Sequence, residues 1–350
     1  MITVGIVGVT GYMGGEVLRI LLQHPQVTLA WVSSRSGGRI DEFHPNLYGC
    51  DIRLITPDLA TPCDVVFLAL PTEVTMKETS RFLNMGCKVI DLGAAFRLRD
   101  RSTWEDVYQQ SHSNWALAEQ AVYGINEIHK ARIAEASLIA NPGCFSSAVI
   151  LALAPLVEQG LVDNEKLVVT GMSGTAGVGA ELSRAAHHPE IANNLLAYNV
   201  VAHRHSFEME QELSQLTDNN VSVHFTPVYA PIVRGILAVC HAFPIKAVNR
   251  EQLLDLYCAF YRNEPFVDAY DLPKEVNVSW QYKPYPWLSS VAGTNYCYIG
   301  LDYDPKRNRI VLLSVLDSLG KGGAQVGIEN MNIMFGLERT TGLLGRALHP

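Results

Sequence analysis

Ile2-Thr3-Val4-Gly5-Ile6-Val7-Gly8-Val9-Thr10-Gly11-Tyr12-Met13-Gly14 opens the chain, and its reading decides the fold. Ile2 to Gly8 is apolar nearly throughout, as a strand buried on both faces is. Gly8, Gly11 and Gly14 then make G-x-x-G-x-x-G. Beyond them Val17, Leu18, Leu21 and Leu22 fall on one face of a helix that Pro25 ends. Strand, glycine turn and helix in that order suit a dinucleotide. The glycines let the backbone approach a pyrophosphate, and the helix N-terminus offers N–H groups and partial positive charge. A tight β–α turn without a ligand is the plainer reading of the same glycines.

The reading extends outward from there. Val27 to Ser34 is a second strand, ending in Ser33-Ser34-Arg35. An NAD-type site carries an acidic residue at that place, for the ribose 2′-hydroxyl. Hydroxyls and a guanidinium suit a 2′-phosphate instead, which favours NADP(H); a solvated loop charge is the other reading of Arg35. Asp64 to Leu70 is a strand stopped at Pro71, Glu73 to Met85 a helix with Gly86 as its C-cap signal, and Lys88 to Leu92 a strand. Residues 100–135 are polar and weakly patterned. Ser137 to Ala140 is a short strand, and Ser146 to Gln159 a strongly apolar helix. Alternating strands and helices predict right-handed βαβ units and a parallel sheet.

After residue 160 the rhythm changes. Residues 167–172, 221–229, 235–243, 297–303 and 309–316 read as strands with few helices between, which predicts a second, α+β domain with a largely antiparallel sheet. A last segment, GGAQVGIENMNIMFGL at 322–337, has helical spacing at Val326, Met331 and Met334.

Composition bounds the function. The 350 residues are 48% hydrophobic and 18% charged, which describes a packed globular chain of about two domains. The net charge of −8 disfavours nucleic acid or a membrane surface as partner. No apolar run is long enough to span a bilayer, and no basic segment precedes an apolar one at the start. The seven cysteines are odd in number and form no C-x-x-C pair, so neither a disulfide framework nor a zinc ribbon is expected, and a reducing, cytoplasmic setting is.

Asn141-Pro142-Gly143-Cys144 follows a strand and precedes the helix at 146. A sharp turn there sets Cys144 at a helix N-terminus, where the dipole favours the thiolate; the plainer reading is an inert core cysteine. A nucleophilic thiol beside a nicotinamide suggests thioester chemistry with a histidine as acid/base. His203-Arg204-His205 is the histidine pair to consider, with Glu208 and Glu210 following on a helix. In an extended segment His203 and His205 would point to one side, and a metal site is a rival reading without a third ligand at recognisable spacing. His187-His188-Pro189 reads as a loop. Ser173-Gly174-Thr175-Ala176-Gly177 is a glycine-rich loop able to offer N–H groups to a phosphate or oxyanion, or else a plain connection. Arg97 and Arg234 are candidate clamps for carboxylate or phosphate, or structural arginines.

Eight segments together resemble the N-acetyl-γ-glutamyl-phosphate reductase family: GVTGYMGGEVLRILLQHP at 8–25, HPNLYG at 44–49, DLGAAFRLRD at 91–100, YGINEI at 123–128, NPGCFSSAVILALAPL at 141–156, HRHSFEMEQEL at 203–213, PIVRGIL at 231–237 and GIENMNIMFGL at 327–337. The resemblance covers essentially the whole length. It implies an NADPH enzyme of arginine biosynthesis, related to aspartate-semialdehyde dehydrogenase. The implied domains are a Rossmann-type NADP-binding domain over 1–144 and 320–350, and a catalytic and oligomerisation domain over 145–319. Cys144 is implied as thioester nucleophile and His203 as acid/base, with the choice against His205 open. Thr10, Gly11, Tyr12, Met13 and Gly14 match the nucleotide loop, Ser34 and Arg35 the 2′-phosphate region, and Leu70, Pro71 and Asn330 the nicotinamide side. Substrate contacts are expected from Arg97, Asn141, Ser173 and Gly174, and from Tyr198, His205, Glu208 and Arg234. The substrate is a small molecule, no metal is expected, and a homodimer or homotetramer is.

The chain departs from the family at Ala95, where an Asp is common, at Ser206-Phe207-Glu208, where x-Pro-Glu commonly follows the histidines, and in the phrasing of 173–177. Rival readings are a sister reductase of aspartyl or carrier-bound aminoadipyl phosphate, a non-catalytic NADP(H) sensor, and a thiol hydrolase.

Overall fold

A computed structural model describes residues 1–271 and 285–348. The chain forms two compact units, residues 1–142 with 323–344, and residues 143–322 with 345–350. Cys144 therefore belongs to the second unit.

The first unit begins β1 (Ile2–Val7), α1 (Tyr12–Leu21), β2 (Val27–Ser33), β3 (Val65–Leu68), α2 (Thr72–Asn84) and β4 (Lys88–Asp91). It continues α3 (Arg101–Tyr108), α4 (Trp115–Gln120), β5 (Val122–Tyr123), α5 (Asn126–Glu135) and β6 (Leu138–Ala140). The six strands are parallel, in the order β2-β1-β3-β4-β6-β5. Order reverses between β1 and β3, and the glycine turn leaves the C-terminal end of β1 at that point, where open α/β sheets bind ligands. Val65, Val66, Phe67 and Leu68 are all inaccessible, as a continuous apolar strand in a covered parallel sheet must be. On α1, Val17, Leu18 and Leu21 are buried, but Leu22 is exposed because the helix ends before it.

The weakly patterned stretch 100–135 holds the helices α3, α4 and α5 and the short strand β5. Its helix α3 is capped by Asp100, whose carboxylate accepts the Thr103 N–H at 2.7 Å. Only Trp104 is buried on that helix, which is why no apolar stripe shows in the sequence.

The second unit holds α6 (Cys144–Glu158), β7 (Leu167–Ser173), α7 (His188–Ile191), β8 (Leu196–Ala197), α8 (Arg204–Leu213), β9 (Val223–Tyr229) and β10 (Ile236–Ala242). After these come α9 (Arg250–Phe260), β11 (Val267–Ala269), β12 (Cys297–Asp304) and β13 (Arg309–Leu316). The sheet order is β11-β12-β13-β10-β7-β9-β8. It is mixed: β7–β9 and β11–β12 run parallel, and the other neighbours antiparallel. The parallel β7–β9 pair needs a crossover, and α8 lies within it; α9 follows β10 and leads to β11, where few helices were expected.

Helix α6 starts at Cys144, two residues before the apolar run suggests. It is buried on all sides from Phe145 to Val157. Pro155 has no N–H for the Leu151 carbonyl one turn back, and the Tyr261 hydroxyl donates to that carbonyl instead. The final helix α10 (Gln325–Met334) belongs to the first unit and is wholly buried there. Among the described residues no helix is long and apolar enough to cross a membrane.

Candidate active site

The glycine turn is shaped by close approach. Gly8 has φ +83°, and a Cβ on it would stand 2.2 Å from the Ala69 carbonyl oxygen. A Cβ on Gly14 would stand 2.4 Å from the Gly8 carbonyl oxygen, so that glycine lets α1 close on β1. Gly11 differs: its nearest such neighbour is 3.8 Å away. It is the N-cap of α1 with no capping side chain, so the first helical N–H groups, at Tyr12, Met13 and Gly14, are left to a ligand or solvent. Thr10 is half-buried on this turn and Tyr12 is exposed. The Leu70 side chain reaches within 3.3 Å of the Gly8 Cβ position, and Pro71 is the exposed N-cap of α2 beside it. The cradle fits a dinucleotide pyrophosphate.

At the end of β2 no carboxylate appears. Ser34 is buried with its hydroxyl 3.3 Å from that of Ser36, while Arg35 is exposed. Ser36 was not singled out from sequence, although it follows directly.

Asn330 lies on the final helix α10. It is fully buried, its amide donates to the Gly124 carbonyl at 2.8 Å, and its oxygen accepts from Asn126 at 3.3 Å. These bonds fix the β5–α5 connection. Arg97 is also buried; its Nε donates to the Asn141 carbonyl at 2.8 Å. The Asn141 amide donates to the Gly323 carbonyl at 2.9 Å, and its buried Oδ1 accepts no hydrogen bond among the described residues. Asp91, which the sequence reading passed over, organises this corner. Its carboxylate accepts the Gly93 N–H at 2.7 Å and the Ala95 N–H at 3.2 Å. Complete burial raises its pKa to about 6, against the opposing pull of those N–H groups and of Arg97.

In the second unit, Cys144 is the first residue of α6, half-buried, with Gly143 as N-cap. The Gly143 N–H donates to Glu208 Oε2 at 3.0 Å. A Cβ on Gly143 would stand 2.6 Å from His205 Nε2, so the His205 ring lies directly against the turn that presents the thiol. Glu208, expected at the substrate, is inaccessible and instead holds this turn, with its Oε1 3.9 Å from His205 Nε2.

His203 and His205 do not lie on an extended segment. His203 is the N-cap of α8, and its Nδ1 accepts the His205 backbone N–H at 3.2 Å. The rings still meet edge to face, 4.7 Å apart, because a cap residue and the second helical residue both face Phe145. Burial, then the Arg204 charge, lowers the His203 pKa to about 4. Neutral His203 with Nδ1 accepting carries its proton on Nε2. The Tyr198 ring stands 5.5 Å from His203 and stacks on Tyr229 at 4.2 Å. Burial raises the Tyr198 pKa first, with Tyr229 and a charge on Cys144 acting in the same direction. His187-His188-Pro189 is not a loop: His187 is the N-cap of the short helix α7, and His188 and Pro189 are its first two residues.

The glycine-rich loop at 173–177 is not an anion nest. The N–H groups of Gly174, Thr175 and Ala176 donate to the carbonyls of Gly235, Ile232 and Val233 at 2.9, 3.0 and 2.8 Å. Gly177 donates back to Gly174 at 3.3 Å, and the buried Ser173 hydroxyl donates to the Gly174 carbonyl at 2.9 Å. Gly174 is small because a Cβ would stand 2.5 Å from the Val233 carbonyl oxygen.

Arg234 is ion-paired in a fork, Nε and Nη2 to the two oxygens of Asp317 at 2.8 and 3.0 Å. Asp317 is inaccessible and also accepts the N–H groups of Gly293, Leu319 and Gly320. Its backbone carbonyl accepts the Gly322 N–H at 2.9 Å, and a Cβ on Gly322 would stand 2.8 Å from Cys144 Cβ. Asp317 and Gly322 are thus site neighbours that only folding reveals.

A parallel-sheet dinucleotide unit, and a second unit presenting a helix-terminal thiol against a histidine, define a semialdehyde dehydrogenase. The semialdehyde dehydrogenase NAD binding domain family matches residues 3–136, and the semialdehyde dehydrogenase dimerisation domain family matches residues 144–318. The chain is 39% identical to an N-acetyl-γ-glutamyl-phosphate reductase of Pelotomaculum thermopropionicum, covering 100% of this chain and 99% of that protein. It is 41% identical to one from Methanopyrus kandleri, covering all of both chains at 100%. The chain belongs to the N-acetyl-γ-glutamyl-phosphate reductase family. It is an oxidoreductase with a nicotinamide-cofactor domain. The fold is also that of aspartate semialdehyde dehydrogenase II from Vibrio cholerae, at TM-score 0.69 and 18% identity over 96% of this chain and 98% of that one. The Candida albicans aspartate semialdehyde dehydrogenase with NADP gives TM-score 0.62 at 17% identity, over 96% and 98% of the two chains.

Proposed function

We propose that the chain reduces N-acetyl-γ-glutamyl phosphate to N-acetylglutamate 5-semialdehyde and inorganic phosphate, with NADPH as reductant and Cys144 as nucleophile. The observation that carries the mechanism is the placing of Cys144 at the N-terminus of α6, on a turn held by Glu208 and packed by His205. His205 is the acid/base in this reading, in place of His203, whose Nδ1 is engaged in capping α8.

The Cys144 thiolate attacks the acyl carbon. A carbon–sulfur bond forms, the acyl carbon–oxygen bond to phosphorus breaks, and phosphate leaves. The helix dipole stabilises the thiolate before attack, and the N-terminal N–H groups of α6 suit the oxyanion that follows. NADPH, when bound, supplies the hydride that reduces the thioester. His205 takes the thiol proton at Nε2, beside the Glu208 carboxylate; after reduction the oxyanion collapses to the aldehyde carbonyl, the carbon–sulfur bond breaks, and His205 returns the proton to the departing Cys144 sulfur. Gly8 to Gly14 would hold the pyrophosphate. Ser34, Arg35 and Ser36 would hold the 2′-phosphate, supported by the absence of an acid at the end of β2.

The second unit's match to a dimerisation domain supports a homodimer or homotetramer. Scattered cysteines without C-x-x-C spacing support a reducing cytoplasm.

The test is the reverse reaction. The chain is mixed with N-acetylglutamate semialdehyde, phosphate and NADP+, and NADPH absorbance is followed. Phosphate-dependent NADPH formation is expected, with aspartate semialdehyde inactive and NAD+ poor. Activity on aspartate semialdehyde alone would overturn the substrate, and full activity of a Cys144→Ala variant would overturn the mechanism.

A further inference from the structure

His44-Pro45-Asn46-Leu47-Tyr48-Gly49 has no part in the chemistry above, although it is one of the more distinctive stretches of the chain. It lies in the long connection between β2 and β3. That connection is folded back on itself by an antiparallel bridge between Arg39 and Arg53, and by the Ile40 N–H donating to the Ile52 carbonyl at 3.1 Å. The fold-back brings the His44 ring to the glycine turn. His44 Nε2 lies 2.8 Å from the Val9 carbonyl oxygen, to which it donates. From the other side the Gly8 and Val9 N–H groups donate to the Ser33 carbonyl at 3.1 and 3.3 Å. The turn is therefore gripped on two sides.

Gly15 makes room for this grip. It lies outside the G-x-x-G-x-x-G pattern, yet a Cβ on it would stand 2.2, 2.5 and 2.7 Å from three atoms of the His44 ring. We infer that His44 is a positioning residue of the nucleotide site, acting through the Val9–Thr10 peptide. A trans peptide holds its C=O and N–H in opposite directions, so fixing the Val9 carbonyl on the imidazole turns the Thr10 N–H to the other side of the turn. The inference rests on the dinucleotide reading of the glycine turn.

The experiment measures NADPH dissociation constants by nicotinamide fluorescence on the full chain, for wild type, His44→Ala, His44→Gln, Gly15→Ala and the double variant His44→Ala/Gly15→Ala. His44→Ala is expected to weaken NADPH by about tenfold, the scale of one lost well-placed hydrogen bond. His44→Gln, whose amide can donate to the same carbonyl, recovers most of that. Gly15→Ala weakens NADPH to a similar extent, because its methyl displaces the ring. In the double variant the ring is gone and the space is open, so the methyl adds nothing, and this non-additivity is the signature of the contact. Wild-type affinity in both single variants, no recovery in His44→Gln, or additive effects would overturn the inference. A wild-type chain that fails to bind NADPH would overturn the dinucleotide reading, and this inference with it.

Discussion

The Glu208 carboxylate accepts the Gly143 N–H at 3.0 Å, so α8, which His203 caps and which carries His205, holds the residue immediately before Cys144. Glu208→Gln keeps an oxygen acceptor for that N–H and removes the charge beside His205. Its melting temperature should stay near wild type, while kcat falls. Glu208→Ala leaves a buried N–H unsatisfied, which costs about 1–3 kcal/mol, and it should lower both the melting temperature and kcat. Thermal unfolding and steady-state kinetics of the two variants check this.

His203 and His205 should separate by substitution. Asn is itself a good N-cap, so His203→Asn should keep the start of α8 and most of the activity. His205→Asn should lower kcat by about 100-fold or more, the scale of a lost general acid/base. Steady-state kinetics in the reverse direction decide between them, and equal losses would contradict the assignment.

The lowered His203 pKa also predicts a pH dependence of stability. The folded state keeps this ring neutral down to about pH 4, whereas the unfolded chain protonates it near the ordinary value of 6.5. Between those values the unfolded state binds more protons, so stability falls as pH drops through that window. Asparagine does not titrate. The stability of His203→Asn relative to wild type should therefore improve between pH 7 and pH 4, by a few kcal/mol at most. Denaturant melts of both proteins across that range check it.

Arg234 and Asp317 should behave as a coupled pair. Asp317→Ala removes the acceptor of the Arg234 fork and of three backbone N–H groups, and should destabilise the second unit by roughly 3 kcal/mol, chiefly through the buried N–H groups left without an acceptor, since Arg234 itself is partly exposed. Arg234→Lys cannot reproduce the two-pronged geometry and should destabilise by a smaller amount. The same variants should slow alkylation of Cys144 by iodoacetamide, because Asp317 also holds the strand of chain that brings Gly322 against that cysteine.

Much was legible along the chain because it depends on local pattern. The apolar run before Gly8, the three spaced glycines, and Pro-Gly-Cys ahead of a long apolar helix each imply their own geometry. The absence of an acid after β2 is likewise a fact of order. Residues 100–135 were not legible, since α3 buries only Trp104 and shows no stripe.

Partnership across distance was decided only by the tertiary structure. A glycine-rich phrase at 173–177 has the composition of an anion nest, yet the N–H groups of Gly174, Thr175 and Ala176 donate to carbonyls at 232–235, more than fifty residues away. Arg234 has the chemistry of a substrate clamp but faces Asp317, and Asn330 faces Gly124. The resemblance puts His203 forward as acid/base, whereas the structure has His203 capping a helix and His205 packed on Gly143. Sequence by itself determined which local shapes and reactive groups this chain can present. Folding determined which of those groups remain available, because each buried donor and acceptor must find a partner, and that partner is chosen by packing rather than by position in the chain.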